Sequence, residues 1–377
     1  MNNPGRIAVL LLVTCLLSNA LTAHELEGQR APSHRSERSV VGMVSRDYVD
    51  PERRHWQDTG PRPIRTIVWY PAAIGSEEGA FADPHGLFTP LGVAQNAKIA
   101  ASSSGYPLLV LSHGTSGDPL SLLWFAHSFV SRGYIVAGLY HHGDTSTEQN
   151  RPPQGKLHFW ERALDVSAAL DQLLEDSLLA SRIDANRIGA VGFSAGGGTM
   201  LLLAGARFRP NELAARCEAN PSDPACYIPP PIRADVARIN ELAKTDPIVK
   251  ASVERRERSF RDRRIRAVFS MAPALGDALT QTGLSTVEIP VFIVASRADE
   301  ITPLATNAQK YANLISSAAL AVVPEPVSHY GFINECTEHG KRQSPMICVD
   351  PPGTDRADIH ARIANDAFEF FEGIWSK

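Results

Sequence analysis

The stretch GFSAGGG at residues 192–198 limits the fold more than any other part of the chain. It joins an apolar run typical of a buried strand to an apolar run typical of a helix. A strand, the pattern G-x-S-x-G and a helix form a nucleophile elbow, in which Gly192 and Gly196 leave room for a very sharp turn. Such a turn would hold the hydroxyl of Ser194 at the carboxyl edge of a sheet, facing the N-terminal end of the helix. The pattern also fits a tight turn with an unreactive serine, so a role for Ser194 depends on partners elsewhere.

Beyond its N-terminal quarter, the chain alternates short apolar strands with segments of helical spacing. Residues 159–176 form the clearest amphipathic pattern, and residues 356–375 close the chain as another predicted helix. Nearer the N-terminus, strands are predicted at 39–50 and 63–71, and residues 71–105 are predicted to be a loop. This alternation predicts an α/β fold, with a mostly parallel central sheet and helices on both of its faces.

Residues 207–264 interrupt the alternation. They contain a pair of cysteines, a proline-rich segment and a narrow apolar stripe that runs from Ile232 to Leu242. The stripe predicts one amphipathic helix, and a more charged helix is predicted after it. We interpret the interruption as a helical cap inserted into a single domain that spans residues 39–377.

The N-terminus has the features of a secretory signal peptide at residues 1–23. Arg6 precedes a short apolar run that ends in small residues, among them Ser18 and Ala20. The run is shorter than the roughly 20 apolar residues that a membrane span needs, so no stable membrane insertion is expected. A retained anchor or a buried first strand is the alternative. Residues 24–38 are polar and predict a disordered linker, and the expected location is secreted or periplasmic.

Removal of the signal peptide would leave four cysteines. An even number in an exported chain favours disulfide bonds. The short sequence separations predict Cys217–Cys226 and Cys336–Cys348, although the sequence leaves the other two pairings open. The chain has no C-x-x-C spacing, so we predict neither a metal site nor a cofactor.

A serine hydroxyl needs a base and an orienting acid before it becomes a good nucleophile. Sheets that carry a nucleophile elbow order these residues as serine, acid and histidine along the chain. Asp299 follows the apolar run VFIVAS, and His329 follows the next predicted strand. Both would lie at the carboxyl edge of the sheet together with Ser194. The sequence therefore predicts Ser194, Asp299 and His329 as a catalytic triad, with turn or structural roles as the alternative for the last two.

Acyl transfer also needs N–H donors for the oxygen that becomes negatively charged. The backbone N–H of Ala195, directly after the serine, is one candidate. The second should come from the loop LSHGTSGD after the predicted third strand, where Thr115 is the candidate donor. His113 in the same loop is predicted to brace it.

The segment YHHGD ends another strand at the same edge of the sheet. His141, His142 and Asp144 could brace the loop, line the pocket or bind a metal. We favour bracing with partial lining of the pocket, because no further metal ligand stands in clear register with them. Tyr330, next to His329, is a further candidate for pocket lining.

The motifs IRTIVWYP, LSHGTSG, SRGYIVAGLYHHGD, GFSAGG, IRAVFSMAPALG, VASRADEITP and SHYGF occur in this order across most of the chain. From about residue 47 onward the chain therefore resembles the secreted branch of the dienelactone-hydrolase-like α/β-hydrolases, which includes the platelet-activating-factor acetylhydrolase-like proteins. The resemblance implies a serine carboxylesterase with the triad and N–H donors predicted above. Dienelactone hydrolases themselves carry a cysteine nucleophile where this chain has Ser194, which makes dienelactone an unfavourable substrate.

The sequence therefore predicts an exported hydrolase that cleaves small-molecule or lipid esters through an acyl-enzyme intermediate. A serine peptidase or amidase could use the same residues, and a non-catalytic relative that only binds a ligand is a third hypothesis. The formal net charge of −4, without a basic stripe, argues against a nucleic-acid partner. The sequence predicts neither the acyl length of the substrate nor the oligomeric state.

Overall fold

The computed structural model describes residues 24–25, 39–223, 226–228 and 230–376. In these residues all eleven strands belong to one mixed sheet. In chain order, the strands are β1 (His24–Glu25), β2 (Val41–Arg54), β3 (Pro61–Pro71), β4 (Gly79–Phe81), β5 (Leu91–Gln95), β6 (Tyr106–Ser112), β7 (Ile135–Leu139), β8 (Ile183–Phe193), β9 (Ala267–Met271), β10 (Val291–Ser296) and β11 (Ala318–Val323). Their order across the sheet is β1-β11-β10-β9-β8-β6-β7-β3-β2-β5-β4. All neighbouring pairs from β1 to β7 in this order are parallel, whereas β3 runs antiparallel to both β7 and β2.

The central strands place the ends of β6 and β8 side by side. Ser112, the last residue of β6, is in register with Gly192 of β8, just before Ser194. The carboxyl ends of parallel strands share one edge of a sheet, and α/β folds carry their binding sites at this edge. The register therefore brings the loop after β6 next to the predicted elbow.

Helices cover both faces of the sheet. They are α1 (Leu123–Val130), α2 (Pro153–Leu157), α3 (Trp160–Leu173), α4 (Ala195–Ala204), α5 (Pro210–Ala219), α6 (Pro230–Thr245), α7 (Pro247–Arg255), α8 (Gln281–Leu284), α9 (Ala308–Leu314), α10 (Glu338–Gln343), α11 (Pro345–Cys348) and α12 (Arg356–Trp375). One apolar core lies between the sheet and α3, α4 and α9, and a second lies between the sheet and α1 and α12. The predicted α/β architecture, with a mostly parallel sheet between two layers of helices, is confirmed.

The segment predicted as a loop at 71–105 differs from the expectation, because it contains β4 and β5. Both strands are short, and β5 pairs in parallel with β2 through only Gly42 and Met43. Strands of three and five residues show too little alternation to be recognised in a sequence rich in small residues.

The interruption at 207–264 contains three helices, α5, α6 and α7, where the sequence predicted two. Ile239 of α6 and Val249 of α7 pack with Trp56 in a small separate core. Asp246 caps α7, because its side chain accepts hydrogen bonds from the N–H groups of Ile248 and Val249 at 2.8 and 3.2 Å. The insertion is therefore anchored through its own apolar contacts to the turn between β2 and β3.

The predicted signal peptide at 1–23 lies outside the described residues, as does the stretch 26–38 of the predicted linker. His24–Glu25, at the start of that linker, forms the two-residue strand β1 beside β11. Within the described part of the chain, none of the helices combines the length and the apolar character that a membrane span requires.

Candidate active site

Ser194 lies at a strained turn between β8 and α4. Its backbone has φ 55° and ψ −120°, a conformation that residues with a side chain rarely adopt. A methyl group added at Gly192 would overlap the backbone of Gly196, and one added at Gly196 would overlap the carbonyl oxygen of Ser112. The two glycines are therefore needed for the close approach of β6, β8 and α4, and the strain at Ser194 is held by this packing.

The three residues predicted as a triad form a continuous chain of hydrogen bonds. Nε2 of His329 lies 2.9 Å from Oγ of Ser194, and its Nδ1 lies 2.8 Å from Oδ2 of Asp299. All three side chains are buried. Ser194 and His329 are 135 residues apart in sequence, so this contact depends on the whole sheet.

Asp299 is held as a carboxylate by its surroundings. Burial would raise the pKa of Asp299, but the hydrogen bonds from His329 and Thr302 outweigh this effect and lower it. Its Oδ1 accepts the backbone N–H groups of Ile301 and Thr302 at 2.9 and 2.7 Å. An ionised carboxylate can only accept hydrogen bonds, so Nδ1 of His329 carries a proton. In neutral His329 the other ring nitrogen is then free to accept the hydroxyl proton of Ser194.

Thr302 is a functional candidate that the sequence reasoning missed. Its hydroxyl lies 2.8 Å from Oδ2 of Asp299 and 3.3 Å from Nδ1 of His329, and the side chain is buried. The only sequence signal was its position three residues after Asp299, where it could equally have been the start of a helix.

The loop that carries His329 is supported from two helices. The indole of Trp124 donates to the carbonyl of Phe332 at 3.0 Å and stacks on His360 with ring centroids 3.9 Å apart. Nε2 of His360 lies 3.0 Å from the carbonyl oxygen of Gly331. Because α1 supplies Trp124 and α12 supplies His360, helices on the sheet face opposite α4 fix the backbone two and three residues after His329.

The two predicted N–H donors lie on backbone segments that adjoin Ser194. Ala195 begins α4, and the first N–H groups of a helix have no partner within it. On the other side, a methyl group at Gly114 would lie 3.3 Å from Cβ of Ser194, so the loop that carries Thr115 packs against the serine. Within the described residues, the N–H of Thr115 is not donated to any acceptor. Both N–H groups are therefore available to a bound molecule.

His141 belongs to a second chain of serine, histidine and aspartate. Its Nε2 lies 2.8 Å from Oγ of Ser112, and its Nδ1 lies 3.1 Å from Oδ2 of Asp165. Burial and the charge of Arg162 lower the pKa of His141 to about 4, so it is neutral near pH 7. Ser112, His141 and Asp165 are all completely buried. No ester could reach Ser112 in this structure, which leaves a bracing role for His141.

His142 is also engaged by protein groups on both ring nitrogens. Its Nδ1 lies 2.9 Å from Glu148, and its Nε2 accepts the backbone N–H of Trp56 at 3.1 Å. His141 and His142 are both buried and have no ring nitrogen left for a ligand, so these contacts favour the bracing alternative over pocket lining. The described residues contain no group of three or more His, Cys, Asp or Glu side chains arranged to hold a metal ion. Tyr330 lies beside His329, with ring centroids 5.4 Å apart, and is half-buried.

Two disulfide bonds are present, Cys217–Cys226 and Cys336–Cys348. The first joins Cys217 of α5 to Cys226 in the segment that follows this helix, and none of the residues of α5 is buried. The second joins the loop after His329 to the end of α11, where Cys348 is buried.

Charged residues buried beneath the site are a further feature that the sequence reasoning missed. Arg62 binds Asp165 and Arg53 binds Asp50, Glu161 and Asp165, all within 3.0 Å. The guanidinium groups of Arg62 and Arg53 outweigh the effect of burial and hold the pKa of Asp165 well below its usual range. The available signal was the presence of charged residues on the apolar side of the predicted helix at 159–176.

Comparisons with known proteins find a likeness over part of the chain to a family of PET hydrolase-like proteins and to proteins named as ester hydrolases. A model of the PET hydrolase-like family matches residues 99–223, which include Thr115 and Ser194 but not Asp299 or His329. A cutinase (est2) of Thermobifida alba is 35% identical over 104 residues, which are 27% of this chain and 31% of that protein. A bis(hydroxyethyl) terephthalate hydrolase of Streptomyces coelicolor is 30% identical over 108 residues, 29% of this chain and 31% of that protein.

The chain thus spans about a third of the length of the curated relatives it matches. A solved structure of a ferulic acid esterase from Streptomyces cinnamoneus superimposes with a TM-score of 0.56 and 18% identity. That superposition covers 94% of this chain and 93% of the esterase, so the likeness of the fold extends over nearly the whole molecule. The predicted α/β-hydrolase fold is confirmed, and the central part of the chain is similar to the PET hydrolase-like family.

Proposed function

We propose that the chain is a serine hydrolase of carboxylic esters, with Ser194 as nucleophile, His329 as base and then acid, and Asp299 as the orienting carboxylate. The observation that carries the proposal is the hydrogen-bonded chain from Oγ of Ser194 through the imidazole to Asp299, with distances of 2.9 and 2.8 Å. A binding protein has no need for a base placed to deprotonate a serine at a strained elbow, so the geometry favours catalysis.

In acylation, Oγ of Ser194 forms a bond to the ester carbonyl carbon while its proton moves to Nε2 of His329. The carbonyl oxygen becomes an oxyanion, which the N–H groups of Thr115 and Ala195 would stabilise. The tetrahedral intermediate then breaks its bond to the alcohol oxygen, and that oxygen takes the proton from His329. In deacylation, water repeats these steps as the nucleophile and releases the carboxylic acid. Asp299 stabilises the imidazolium that exists between the two proton transfers.

The comparisons support esters as the substrate class. The similar proteins are named as cutinases, a bis(hydroxyethyl) terephthalate hydrolase and a ferulic acid esterase. We therefore expect turnover of small-molecule or lipid esters, with the acyl and alcohol preferences set by residues above Ser194 and by the α5–α7 insertion.

A fluorophosphonate probe tests the catalytic role directly. Attack by Oγ of Ser194 on phosphorus forms a serine–phosphorus bond and releases fluoride, so the mass increase should map to the peptide that contains Ser194. Ser194→Ala should fold normally and take up no probe. Labelling of wild-type protein at any other serine, or the absence of labelling in folded protein, would contradict the proposed triad.

A substrate panel separates esters from amides. We expect hydrolysis of p-nitrophenyl esters and of bis(hydroxyethyl) terephthalate, and slower or no turnover of the matching anilides. Amides need better protonation of the leaving group than esters do. Faster turnover of the anilides would assign the chain to the peptidases or amidases.

We infer that the protein is exported and loses residues 1–23. Two disulfide bonds within the described chain support an oxidising compartment. Expression of the full chain in a bacterial host, followed by N-terminal sequencing of the exported protein, tests this. A mature protein that begins at Met1 and stays in the cytoplasm would contradict it.

A further inference from the structure

The loop that carries Thr115 is a tight turn with one strained residue. The carbonyl oxygen of Gly114 accepts the N–H of Gly117 at 3.2 Å, which closes a four-residue turn over Gly114, Thr115, Ser116 and Gly117. Ser116 has φ 55°, in the left-handed region that a turn at this position usually fills with glycine. The turn is therefore not the conformation that this sequence would prefer on its own, and other groups must hold it.

Arg162 and Asp144 stabilise the turn through hydrogen bonds to its backbone. The guanidinium of Arg162 donates to the carbonyl oxygens of His113 at 2.6 Å and Gly114 at 3.3 Å, and it binds Oδ2 of Asp144 at 2.6 Å. Oδ1 of Asp144 accepts the backbone N–H of Ser116 at 2.8 Å and its hydroxyl at 3.2 Å. Arg162 and Asp144 are almost completely buried, with side chains 1% exposed each. The Arg162–Asp144 ion pair therefore forms hydrogen bonds with the backbone on both sides of Thr115.

His113 adds a third contact from within the loop. Its Nδ1 lies 2.7 Å from the carbonyl oxygen of Gly114, and its Nε2 accepts the backbone N–H of His141 at 3.4 Å. Burial, together with the charge of Arg162, lowers the pKa of His113 well below its ordinary value. The ring is therefore neutral, and because a carbonyl only accepts, its proton lies on Nδ1.

Because the peptide bond is planar, the contacts to the carbonyl oxygen of Gly114 also determine the direction of the N–H of Thr115. The carbonyl of Gly114 and the N–H of Thr115 belong to the same trans peptide plane and point in opposite directions. The carbonyl oxygen is held by Arg162, His113 and Gly117, so the N–H of Thr115 must point away from all three. Gly114 also packs against Ser194, since a methyl group added at Gly114 would lie 3.3 Å from Cβ of Ser194, so the peptide plane between Gly114 and Thr115 lies beside the nucleophile.

We propose that Arg162 and Asp144 are positioning residues for the oxyanion site: their ion pair fixes the peptide plane between Gly114 and Thr115 so that the Thr115 N–H faces the reacting carbonyl. This rests on the proposed ester hydrolysis at Ser194. Neither side chain touches the substrate, and both act through the backbone of the turn.

The test uses a trifluoromethyl ketone with a ¹³C-labelled carbonyl. Oγ of Ser194 adds to the labelled carbon, its proton passes to His329, and the resulting hemiketal has an oxygen in the place of the oxyanion. NMR of the labelled carbon against pH gives the pKa of that oxygen, which falls as the N–H donors stabilise its anion. Wild-type protein is compared with Arg162→Lys, which keeps the charge but loses the planar fork, and with Asp144→Asn, which loses the charge that anchors Arg162.

Loss of one well-placed donor typically lowers kcat by about 10²–10³. A displaced rather than deleted donor should have a smaller effect, so we expect kcat to fall roughly 10- to 100-fold in both variants, with KM nearly unchanged. The pKa of the hemiketal oxygen should rise by about 1 to 2 for the same reason. If Arg162→Lys does not fold, Asp144→Asn decides the matter, because asparagine can still accept the N–H of Ser116.

Arg53→Lys is the matched control. Arg53 is also a buried arginine with carboxylate partners, but it makes no contact with the turn. It should lower thermal stability as Arg162→Lys does, yet leave the pKa of the hemiketal oxygen unchanged. An unchanged hemiketal pKa in folded Arg162→Lys and Asp144→Asn would overturn the positioning role. Failure of wild-type protein to form the adduct or to hydrolyse esters would instead overturn the proposed function.

Discussion

The hydroxyl of Thr302 donates a hydrogen bond of 2.8 Å to Oδ2 of Asp299, the same carboxylate oxygen that accepts Nδ1–H of His329. Two donors on one oxygen hold the carboxylate plane in line with the imidazole. Asp299 also accepts two backbone N–H groups through Oδ1, so its negative charge is shared among four hydrogen bonds. The orientation of His329 therefore depends on a residue outside the triad.

Thr302→Val should lower kcat by roughly 10- to 100-fold, because a hydrogen bond to a charged group contributes about 1.5–3 kcal/mol. Thr302→Ser keeps the hydroxyl and should restore most of the activity. Thr306→Val is the matched control, since Thr306 is exposed and its hydroxyl donates to the carbonyl of Pro303 at 3.3 Å and accepts the side-chain N–H of Asn307 at 3.2 Å, without a hydrogen bond to the triad. Steady-state kinetics on a p-nitrophenyl ester measures all three. Equal activity of Thr302→Val and wild type would show that catalysis does not depend on the hydrogen bond from Thr302 to Asp299.

The sequence was sufficient to predict elements whose pattern is local. The final helix begins and ends at the predicted residues, Arg356 and Trp375, because its apolar period is long and Asp355 caps it by accepting the N–H of Asp358. The elbow was predictable for a similar reason: the glycines that its close packing requires are adjacent in sequence.

Contacts between distant residues could not be predicted in this way. Arg53 and Asp165 are 112 residues apart, and Ser112 ends β6 whereas His141 lies in the loop just after β7. Nothing in the local pattern of either partner specifies the other, because the pairing follows from the order of strands in the sheet. The same limit applies to Thr302, whose partner His329 becomes a neighbour only after β10 and β11 have paired.

Ser112 and Ser194 both lie within hydrogen-bonding distance of a histidine that contacts an aspartate, but only one should be reactive. Ser112→Ala should keep most of the ester hydrolysis, because Ser112 is completely buried. It should lower the free energy of unfolding by about 1–3 kcal/mol, since Nε2 of His141 loses its donor. Ser194→Ala should do the reverse, with loss of turnover and little change in stability. Urea unfolding and ester hydrolysis on both variants test this. Abolished turnover in folded Ser112→Ala would show that the buried chain has a part in catalysis.

The two disulfide bonds should differ in their effect on activity. Their sequence separations, 9 and 12 residues, are similar, so the chain-entropy contribution of each is about the same, within the usual 2–4 kcal/mol. Cys336–Cys348, however, lies seven residues beyond His329 in a segment where Arg356 donates to the carbonyl of Asn334 at 2.9 Å. Removing this bond should loosen the loop that positions the imidazole.

The variants Cys336→Ser/Cys348→Ser and Cys217→Ser/Cys226→Ser serve as controls for each other. We expect a larger fall in kcat for the first, and comparable falls in melting temperature for both. A larger loss of activity in Cys217→Ser/Cys226→Ser would show that catalysis depends more on the α5–α7 insertion than on the loop after His329.

Buried neutral histidines should make the fold sensitive to acid. Burial lowers the pKa of His141 and of His158 to about 4, and that of His360 to about 3. In the unfolded chain these rings bind protons near the ordinary pKa of about 6.5. Between pH 6.5 and 4 the unfolded state therefore binds more protons than the folded state, and stability falls as the pH falls. Each such histidine contributes a slope of roughly 1.4 kcal/mol per pH unit in that window.

His360→Gln isolates one of these groups, because glutamine can still donate to the carbonyl of Gly331 but does not titrate. Urea unfolding at several pH values between about 7.5 and 4.5 should give a shallower loss of stability for this variant, by roughly 1.4 kcal/mol per pH unit near pH 5. His85→Gln is the control, since the His85 side chain is exposed to water in the folded protein, and its slope should match wild type. If His360→Gln and wild type lose stability equally steeply, then His360 is not neutral in the folded state, and the acid sensitivity comes from other buried groups, such as His141 and His158.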